Sequence, residues 1–194
     1  MTSEYRTVLA PAVSREQFQE MALRNEWRVY TIVEPAADRP YEQIWSIDDG
    51  TSAAHYVEDD RLRVASVITM GERAAELAEM VRHGLTALTP AEVLVWVYAL
   101  GEEGDPGERV HALGYLAAVA PAEPSDGFVA VLEESLRDHR PEVRQAALYA
   151  CVYLSWAELV PPVEAVRDND PDETTRANAA QVLEAIRRYR EPPS

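Results

Sequence analysis

The chain has 194 residues, 47% of them apolar, so it is long enough to bury a hydrophobic core, and its composition excludes general disorder. It carries 34 acidic residues against 18 basic ones, a formal net charge of −16, and every basic residue is arginine. A surface this acidic repels phosphate backbones and anionic lipids, which argues against nucleic-acid and membrane partners and favours either a basic protein partner or solubility alone.

Cysteine usage and hydropathy indicate the compartment. The one cysteine, Cys151, lies in an apolar helical stretch, where a thiol acts as a small hydrophobic side chain and has no internal disulfide partner. The opening residues, MTSEYRTVLAP, contain no apolar segment of the kind a secretory signal requires, and no run of about 18 apolar residues exists. We therefore expect a cytoplasmic protein without a membrane span.

The first predicted element is a helix that begins after Ser14. Ser14 and Gln17 have the spacing of a capping box, in which each side chain bonds to the backbone N–H of the other residue. Phe18, Met21 and Ala22 then fall on one face of a helix of about 12 residues. The regular structure is therefore predicted to open with an amphipathic helix.

Between residues 27 and 69 the apolar residues recur at about every second position, which predicts β-strands. Four candidates follow one another, and the turn signal DDG at 48–50 indicates a hairpin between the second and the third. The proline-rich stretch 34–41 connects the first two, and a helix follows from residue 71. The candidates are residues 27–33, with Trp27, Val29, Thr31 and Val33 on one side; 42–47; 53–57; and 62–69, with Leu62, Val64 and Ile68 on one face.

A pattern recurs three times in the C-terminal half. Each copy has an arginine, an alanine three residues later, and apolar or small residues after four, seven and ten, which is the spacing of one helix face. An acidic residue lies six positions before each arginine, with a proline between them that suits the first turn of a helix. A shorter helical segment precedes each copy. The arginines are Arg109, Arg144 and Arg176, the acids are Glu103, Asp138 and Asp170, and the prolines are Pro106, Pro141 and Pro171.

The helix-pair period, the turn acid and the arginine six residues later resemble HEAT repeats over residues 89–190. The resemblance implies an ARM-like α-solenoid, in which helix pairs stack and bury a core that no single pair can bury alone. It also implies that the acids and arginines form ladders along the inter-helix turns. The whole arrangement, PYEQIW and AAHYVEDD followed by helices, is similar to uncharacterised bacterial proteins with HEAT-like C-terminal halves, which implies no activity.

The predicted fold has two parts. Residues 1–86 are expected to form an α+β domain, a small antiparallel sheet with flanking helices, because one helix, four strands and a second helix follow in order. Residues 87–194 are expected to form an all-α, HEAT-like repeat domain of three helix pairs.

The recurring arginines admit two interpretations. Arg109, Arg144 and Arg176 could form a row that binds an anionic ligand. Alternatively, each could pair with turn carboxylates such as Asp138 and Asp170 and with turn carbonyls, locking neighbouring repeats together. The regular spacing favours the second interpretation, a structural ladder.

Aromatic residues supply the candidate partner-binding surface. Tyr149 and Tyr153 lie four residues apart and share one face of the helix that carries Arg144, in the second of the three repeats. Tyr115 has a near-equivalent place in the previous repeat, and Trp156 follows one helix turn later. Aromatic side chains on a solenoid surface often anchor a protein partner, but the same residues could pack between repeats.

No pattern in the sequence specifies catalysis, a cofactor or a metal. The four histidines lack the H-x-x-x-H spacing, and no CxxC pair exists. His55 and the acids that follow it could form a catalytic pair, although a histidine on a sheet face before an acidic turn is the simpler interpretation. An alternative site is a small-molecule pocket between the sheet and the helical stack that uses Trp45, His55 and Tyr56.

The sequence therefore favours a non-catalytic module that recognises another protein, with a basic partner fitting the charge, through the groove lined by the second helices. An inhibitor or immunity-type protein is one such function. The competing hypothesis is a small-molecule-binding protein or enzyme that uses the pocket above. A DNA-binding HEAT array, the third possibility, would need the arginines on one concave face. No cofactor, nucleic acid or membrane is expected, and the oligomeric state stays open.

Overall fold

The computed structural model describes residues 3–37, 39–101 and 103–190 of the chain. The backbone divides into two compact units, Met1–Thr89 and Pro90–Ser194. The N-terminal unit contains a sheet and helices, and the C-terminal unit is helical. Within the described ranges, no helix is both long and apolar enough to cross a membrane.

The N-terminal unit consists of a sheet and two helices. In chain order the elements are β1 (Glu4–Val8), α1 (Arg15–Arg24), β2 (Arg28–Val33), β3 (Tyr41–Ile47), β4 (Ser52–Asp59), β5 (Val64–Gly71) and α2 (Ala74–Gly84). The five strands form one antiparallel sheet in the order β1-β5-β4-β3-β2. The predicted α+β fold with a small antiparallel sheet is confirmed.

Strand β1 is a fifth strand that the sequence pattern did not predict. It pairs antiparallel with β5, where Tyr5 lies opposite Thr69 and Thr7 opposite Val67, and it forms one edge of the sheet. Its first three residues are exposed, so the strand offers little alternation of polar and apolar side chains. Pairing with β5, rather than local preference, therefore determines its structure.

Helix α1 begins where the capping box predicts. The Gln17 backbone N–H donates to Ser14 Oγ at 3.3 Å, and the Ser14 backbone N–H donates to Gln17 Oε1 at 2.8 Å. Phe18, Met21 and Ala22 are buried, as their spacing predicts. The helix therefore presents one apolar face to the sheet.

Phe18 lies at the centre of the core of the N-terminal unit. Its ring stacks on that of Tyr56, with 4.8 Å between the ring centroids. It meets the rings of Trp27 and Trp45 edge-on, with centroids 6.4 and 5.9 Å away. Leu77 of α2 belongs to the same buried cluster, so both helices cover one face of the sheet.

The predicted side assignment of β2 is wrong. A bulge between Val29 and Thr31 places Val29 opposite Trp45, on the core face, and Thr31 opposite Ile44, on the reverse face. The extra residue, Tyr30, shifts the alternation of side chains by one position. A period-two pattern read through a bulge therefore assigns half of the strand to the wrong face.

Val64 and Ile68 of β5 share one face, as predicted, but that face is not the one that packs against the helices. Val67 lies opposite Tyr56 and belongs to the core, whereas Val64 and Ile68 lie on the reverse face, opposite Asp59 and His55. Strand β5 is an interior strand with apolar residues on both faces, so its alternation does not identify which face the helices cover.

The C-terminal unit consists of helix pairs. In the described part of the chain its six helices are α3 (Pro90–Leu100), α4 (Pro106–Val119), α5 (Asp126–Leu136), α6 (Pro141–Leu154), α7 (Val160–Asn169) and α8 (Glu173–Arg190). The first helices pack in the order α3, α5, α7, and the second helices in the order α4, α6, α8. This two-layer stack of three pairs confirms the predicted HEAT-like architecture.

Prolines mark the starts of two second helices. Pro106 and Pro141 are the first residues of α4 and α6, where the missing N–H costs no hydrogen bond. Helix α8 instead begins at Glu173, two residues after Pro171, and the Asp172 carboxylate accepts a backbone N–H at 2.7 Å. Helix α8 therefore starts two residues after its proline, whereas α4 and α6 start at theirs.

Candidate functional site

Arg144, near the start of α6, is buried and reaches forward into the third helix pair. Its Nε and Nη2 donate to the two carboxylate oxygens of Asp170 at 2.7 and 2.9 Å. Its Nη1 donates to the main-chain oxygens of Asp138 and His139 at 2.9 and 3.1 Å. Arg144 therefore bonds to two consecutive inter-helix turns, its own and the next.

Arg109, near the start of α4, has the same arrangement one repeat earlier. It is almost fully buried, and its Nη1 donates to the main-chain oxygen of Gly101. Its Nη2 donates to Glu134 Oε1 at 2.8 Å, and its Nε lies 3.6 Å from Asp138 Oδ2. Arg109 thus also contacts its own turn and the following repeat.

Arg176, near the start of α8, bonds to the turn before its own helix. Its Nη1 donates to the main-chain oxygens of Asp170 and Pro171 at 2.6 and 3.3 Å. Arg109 and Arg144 are buried and already donate to carboxylates and main-chain oxygens of the stack, so they are unavailable to an external anion. The geometry of Arg109 and Arg144 therefore does not provide a ligand-binding row.

Asp138 is buried in the second turn and is held by Arg140, a residue that the sequence pattern did not single out. Arg140 Nε and Nη2 donate to Asp138 Oδ1 and Oδ2, both at 2.8 Å, and the Arg140 backbone N–H donates to Oδ1 at 2.9 Å. These bonds lower the pKa of Asp138 from 3.8 to about 2. Arg140 Nη1 also donates to the main-chain oxygen of Gly104 at 2.6 Å and so joins the second turn to the first.

Replacing Asp138 with asparagine should remove a pH-dependent part of the stability. Because the folded-state pKa lies below the unfolded one, the ionised carboxylate stabilises the fold above about pH 4, and this is lost as the pH falls through about 2. A shift of this size corresponds to about 2 kcal/mol. Urea unfolding should therefore show Asp138→Asn about 2 kcal/mol less stable than the wild type at neutral pH, with the difference shrinking in acid.

A matched control distinguishes this effect from general acid denaturation. Glu123 lies exposed in the loop between α4 and α5, and Glu123→Gln removes one negative charge there, as Asp138→Asn does in the turn. We expect Glu123→Gln to follow the wild-type pH curve. An Asp138→Asn curve that ran parallel to the wild type between about pH 7 and pH 3 would contradict the assignment.

The aromatic candidates separate into an exposed pair and a buried pair. Tyr149 and Tyr153 on α6 are 37% and 40% exposed. Tyr115 and Trp156 are only 2% and 6% exposed, so they cannot form part of an exposed binding surface, and the prediction for these two is wrong. The Tyr115 ring packs against Trp96, with 5.5 Å between centroids, and the Trp156 ring packs edge-on against a phenylalanine of α5 at 6.2 Å.

Tyr115 is buried because its place in the repeat differs from that of Tyr149 by one residue. Tyr149 comes five positions after its repeat arginine, whereas Tyr115 comes six positions after Arg109. One residue rotates a side chain by about 100° around a helix. Tyr115 therefore corresponds to Ala150 in the next repeat, which is also buried.

Tyr149 stands beside a groove between the second helices α6 and α8, which has a volume of about 560 Å³. Leu148 and Val182 are buried and form its floor. The α8 side extends from Asn178 to Arg188, about 15 Å at the helical rise of 1.5 Å per residue. The groove therefore offers an apolar surface, an aromatic wall and a length of about three helix turns.

The end of the groove near the helix starts is lined by side-chain amides. Gln145 Nε2 donates to Thr175 Oγ1 at 2.9 Å, and Asn178 Nδ2 donates to Gln145 Oε1 at 2.6 Å. Gln145 and Asn178 are half-buried, so a ligand can reach them. At the other end Glu184 and Arg188 form an exposed ion pair at 3.0 Å.

Carboxylates border the amide end of the groove. Glu142 lies in the first turn of α6 and Glu173 in the first turn of α8, where the helix dipole favours negative charge. Asp172 precedes α8, and the hydroxyl and backbone N–H of Thr175 lower its pKa. The groove therefore opens toward a negatively charged margin.

Sequence reasoning expected a groove lined by the second helices and singled out Tyr149, but it did not identify the other residues that line the groove between α6 and α8. Residues five positions after the repeat arginine, Tyr149 and Gln181, both line the groove, and so do residues eight positions after it, Val152 and Glu184. Aligning the repeats on their arginines and comparing equivalent positions of neighbouring second helices would have identified this surface.

The residues of the predicted small-molecule pocket do not meet at one surface of the N-terminal unit. Trp45 and Tyr56 are buried in the core beneath α1. His55 lies on the reverse face of β4, because neighbouring residues of a strand point to opposite faces, and its Nδ1 is 2.6 Å from Glu42 Oε1. The prediction that these three residues share a pocket is therefore wrong for this unit.

Tyr56 takes part in a structural network at the edge of that core. Its hydroxyl donates to Glu58 Oε1 at 2.8 Å, and Arg15 Nε donates to the same oxygen at 2.9 Å. The Arg15 guanidinium lowers the pKa of Glu58, and burial raises the pKa of Tyr56. Among the described residues, no group of three or more His, Cys, Asp and Glu side chains could hold a metal ion.

Comparison with known proteins places the C-terminal unit in a family. Residues 93–184 match the family model of HEAT repeats. Comparison with curated proteins and with solved structures gave no significant match. The matched segment runs from α3 into α8 and contains the stacked helix pairs and the turn-directed arginines described above. Through residues 93–184, the C-terminal unit therefore belongs to the HEAT-repeat family.

Proposed function

We propose that this protein is a non-catalytic binding module that recognises a segment of another protein in the groove between α6 and α8. The observation that carries the proposal is an exposed tyrosine, Tyr149, beside an apolar groove in a HEAT array. Helical repeat arrays use such surfaces for binding, and tyrosines are frequent anchors of protein partners.

The dimensions and chemistry of the groove suit a polypeptide segment. A length of about 15 Å accommodates about four or five residues of extended chain. The amides of Gln145 and Asn178 carry both donors and acceptors, which match the N–H and C=O groups of a peptide backbone. The floor at Leu148 and Val182 suits an apolar side chain of the partner.

The partner that fits the charge of this unit is basic. Residues 90–194 contain 19 acids and 9 arginines, a net charge of −10. Arg109 and Arg144 are buried and paired with Glu134 of α5 and with Asp170 of the third turn, so they offer no positive charge to a ligand. Opposite charges accelerate association and suppress binding to acidic competitors.

An inhibitor or immunity-type role is the form of this function that fits the size and charge. Such a protein neutralises a basic partner by occupying its surface and needs no catalytic group of its own. Recognition by complementary charge should weaken as the salt concentration rises, because ions screen exposed charges.

A peptide-display library selected on the full chain tests the proposal. We expect enriched peptides to combine arginine or lysine with an apolar anchor. Their affinity, measured by fluorescence anisotropy, should fall at least about tenfold in Tyr149→Ala and in Ala185→Arg, which places a long side chain in the groove. Affinity should also fall as salt is added.

Tyr98→Ala is the matched control, because Tyr98 is an exposed tyrosine on the first helix α3 and does not line the groove. Its affinity for the selected peptides should stay within about twofold of the wild type. Peptides that bind Tyr149→Ala and Tyr98→Ala equally well would contradict the groove. Selected peptides that are acidic or neutral would contradict the basic partner.

A further inference from the structure

A chain of four side chains links the groove between α6 and α8 to a carboxylate at the start of α8. Asn178 Nδ2 donates to Gln145 Oε1 at 2.6 Å, and Gln145 Nε2 donates to Thr175 Oγ1 at 2.9 Å. The hydroxyl and the backbone N–H of Thr175 both donate to Asp172 Oδ2 at 2.7 Å. Thr175 is fully buried, whereas Gln145 and Asn178 line the groove. The chain therefore connects a buried hydroxyl to the open groove.

The carboxylate fixes the direction of every bond in this chain. The bonds from Thr175 lower the pKa of Asp172, so its carboxylate is ionised at neutral pH and can only accept. The single hydroxyl proton of Thr175 therefore goes to Asp172, and the hydroxyl oxygen accepts from Gln145 Nε2. Gln145 then presents its oxygen to Asn178, which donates through Nδ2. Among the described residues, no group donates to the remaining oxygen, Asn178 Oδ1.

The aligned amides extend the negative charge of Asp172 to the groove. Each amide points an N–H toward the carboxylate and its oxygen away from it, and hydrogen bonds arranged head to tail polarise one another. Asn178 Oδ1 is therefore a stronger acceptor than an isolated amide oxygen. Glu142 and Glu173 add negative charge in the first turns of α6 and α8. This end of the groove therefore favours a positively charged donor.

We propose that Asn178 and Tyr149 form a subsite for an arginine side chain of the partner segment, an assignment that rests on the proposed function. Tyr149 follows Gln145 by four residues on α6, so both lie on one face of the helix and line the same groove. A guanidinium group is planar, and its edge donates to Asn178 Oδ1 while its face packs on the tyrosine ring. The ammonium group of lysine is more strongly hydrated and has no planar face to stack.

The N-terminal unit contains the same mode of contact within the protein itself. The guanidinium carbon of Arg15 lies 3.9 Å from the centroid of the Tyr41 ring. Arg15 Nε donates to Glu58 Oε1 at 2.9 Å. A tyrosine face and an oxygen acceptor at the guanidinium edge thus hold a partly exposed arginine here.

A double-mutant cycle tests the subsite. The ligands are arginine peptides selected on the wild-type chain and their analogues with norleucine or lysine in place of the arginine, measured by fluorescence anisotropy. Asn178→Leu should weaken binding of the arginine peptide at least about tenfold and change binding of the norleucine analogue by less than about twofold. On the wild-type chain, the lysine analogue should bind at least about threefold more weakly than the arginine peptide.

Thr175→Val tests the chain behind Asn178. Valine has nearly the shape of threonine and keeps the backbone N–H bond to Asp172, but it releases Gln145 and Asn178 to turn. We expect it to weaken binding of the arginine peptide at least about threefold without affecting the norleucine analogue, and Thr175→Ser to restore wild-type binding. Thr174→Val is the matched control, because Thr174 is an exposed neighbour on the same helix and should bind as the wild type does.

The outcomes separate this subsite from the groove itself. Peptides that need Tyr149 but bind Asn178→Leu as tightly as the wild type would overturn the arginine subsite and leave the groove in place. A lysine analogue that binds as tightly as the arginine peptide, or selected peptides that carry lysine alone, would also overturn it. Peptides that bind Tyr149→Ala like the wild type would overturn both the subsite and the proposed function.

Discussion

Arg144→Met should destabilise the C-terminal unit by about 3–5 kcal/mol. The substitution keeps an apolar stem but leaves the carboxylate of Asp170 buried without its bidentate partner. It also removes the bonds to the main-chain oxygens of Asp138 and His139. Because small domains are stable by only about 5–15 kcal/mol, urea unfolding followed by circular dichroism should show a large fall in the midpoint.

Two further variants isolate the cause. Arg188→Met breaks an exposed pair with Glu184 and should cost no more than about 1 kcal/mol. Adding Asp170→Leu to Arg144→Met should recover part of the loss, because replacing both partners of a buried pair leaves no unpaired charge. If Arg144→Met lost no more stability than Arg188→Met, the turn contacts would not brace the repeats.

Phe18→Ala should destabilise the N-terminal unit by about 3–5 kcal/mol. The ring is fully buried and packs against three aromatic side chains, so its removal leaves a cavity that rigid neighbours cannot fill. Trp27 and Trp45 adjoin the cavity and report unfolding of this unit once the fluorescence of Trp96 and Trp156 in the C-terminal unit is removed by replacing both with phenylalanine. The unfolding midpoint in urea measures the loss.

The controls for Phe18 lie on the same helix. Leu23→Ala removes an exposed side chain two residues after Met21 and should change the stability by no more than about 0.5 kcal/mol. Phe18→Leu refills much of the volume and should cost less than Phe18→Ala. Equal losses for Leu23→Ala and Phe18→Ala would show that the aromatic cluster contributes little.

The sequence predicted most of the architecture because two of its signals are local. The capping box at Ser14 and the recurring arginines each fix the start of a helix through groups only a few residues apart. Strand β1 carried no such signal, since its pairing with β5 joins residues more than fifty positions apart. Long-range pairing of this kind is invisible to a short window of sequence.

Side-chain direction was harder to predict than element type. A bulge at Tyr30 reversed the faces of β2, and an offset of one residue placed Tyr115 inside the stack instead of beside Tyr149. Each error is a phase error of one residue, which equals half the period of a strand and more than a quarter of a helix turn. The residues that line the predicted groove were not identified for a related reason, since they come from two second helices at positions 32 residues apart, such as Tyr149 and Gln181.

The turn contacts give the stack a direction along the chain. Arg109 and Arg144 each pair with a carboxylate of the repeat that follows. The partner of Arg144 is Asp170, which is synthesised 26 residues later, after the second helix pair is complete. During synthesis the guanidinium of Arg144 should lack its carboxylate partner until Asp170 has been added. The array should therefore fold in one cooperative step after its last inter-helix turn leaves the ribosomal exit tunnel. Truncation before α7 should lower the stability of the array far more than loss of the final turns of α8.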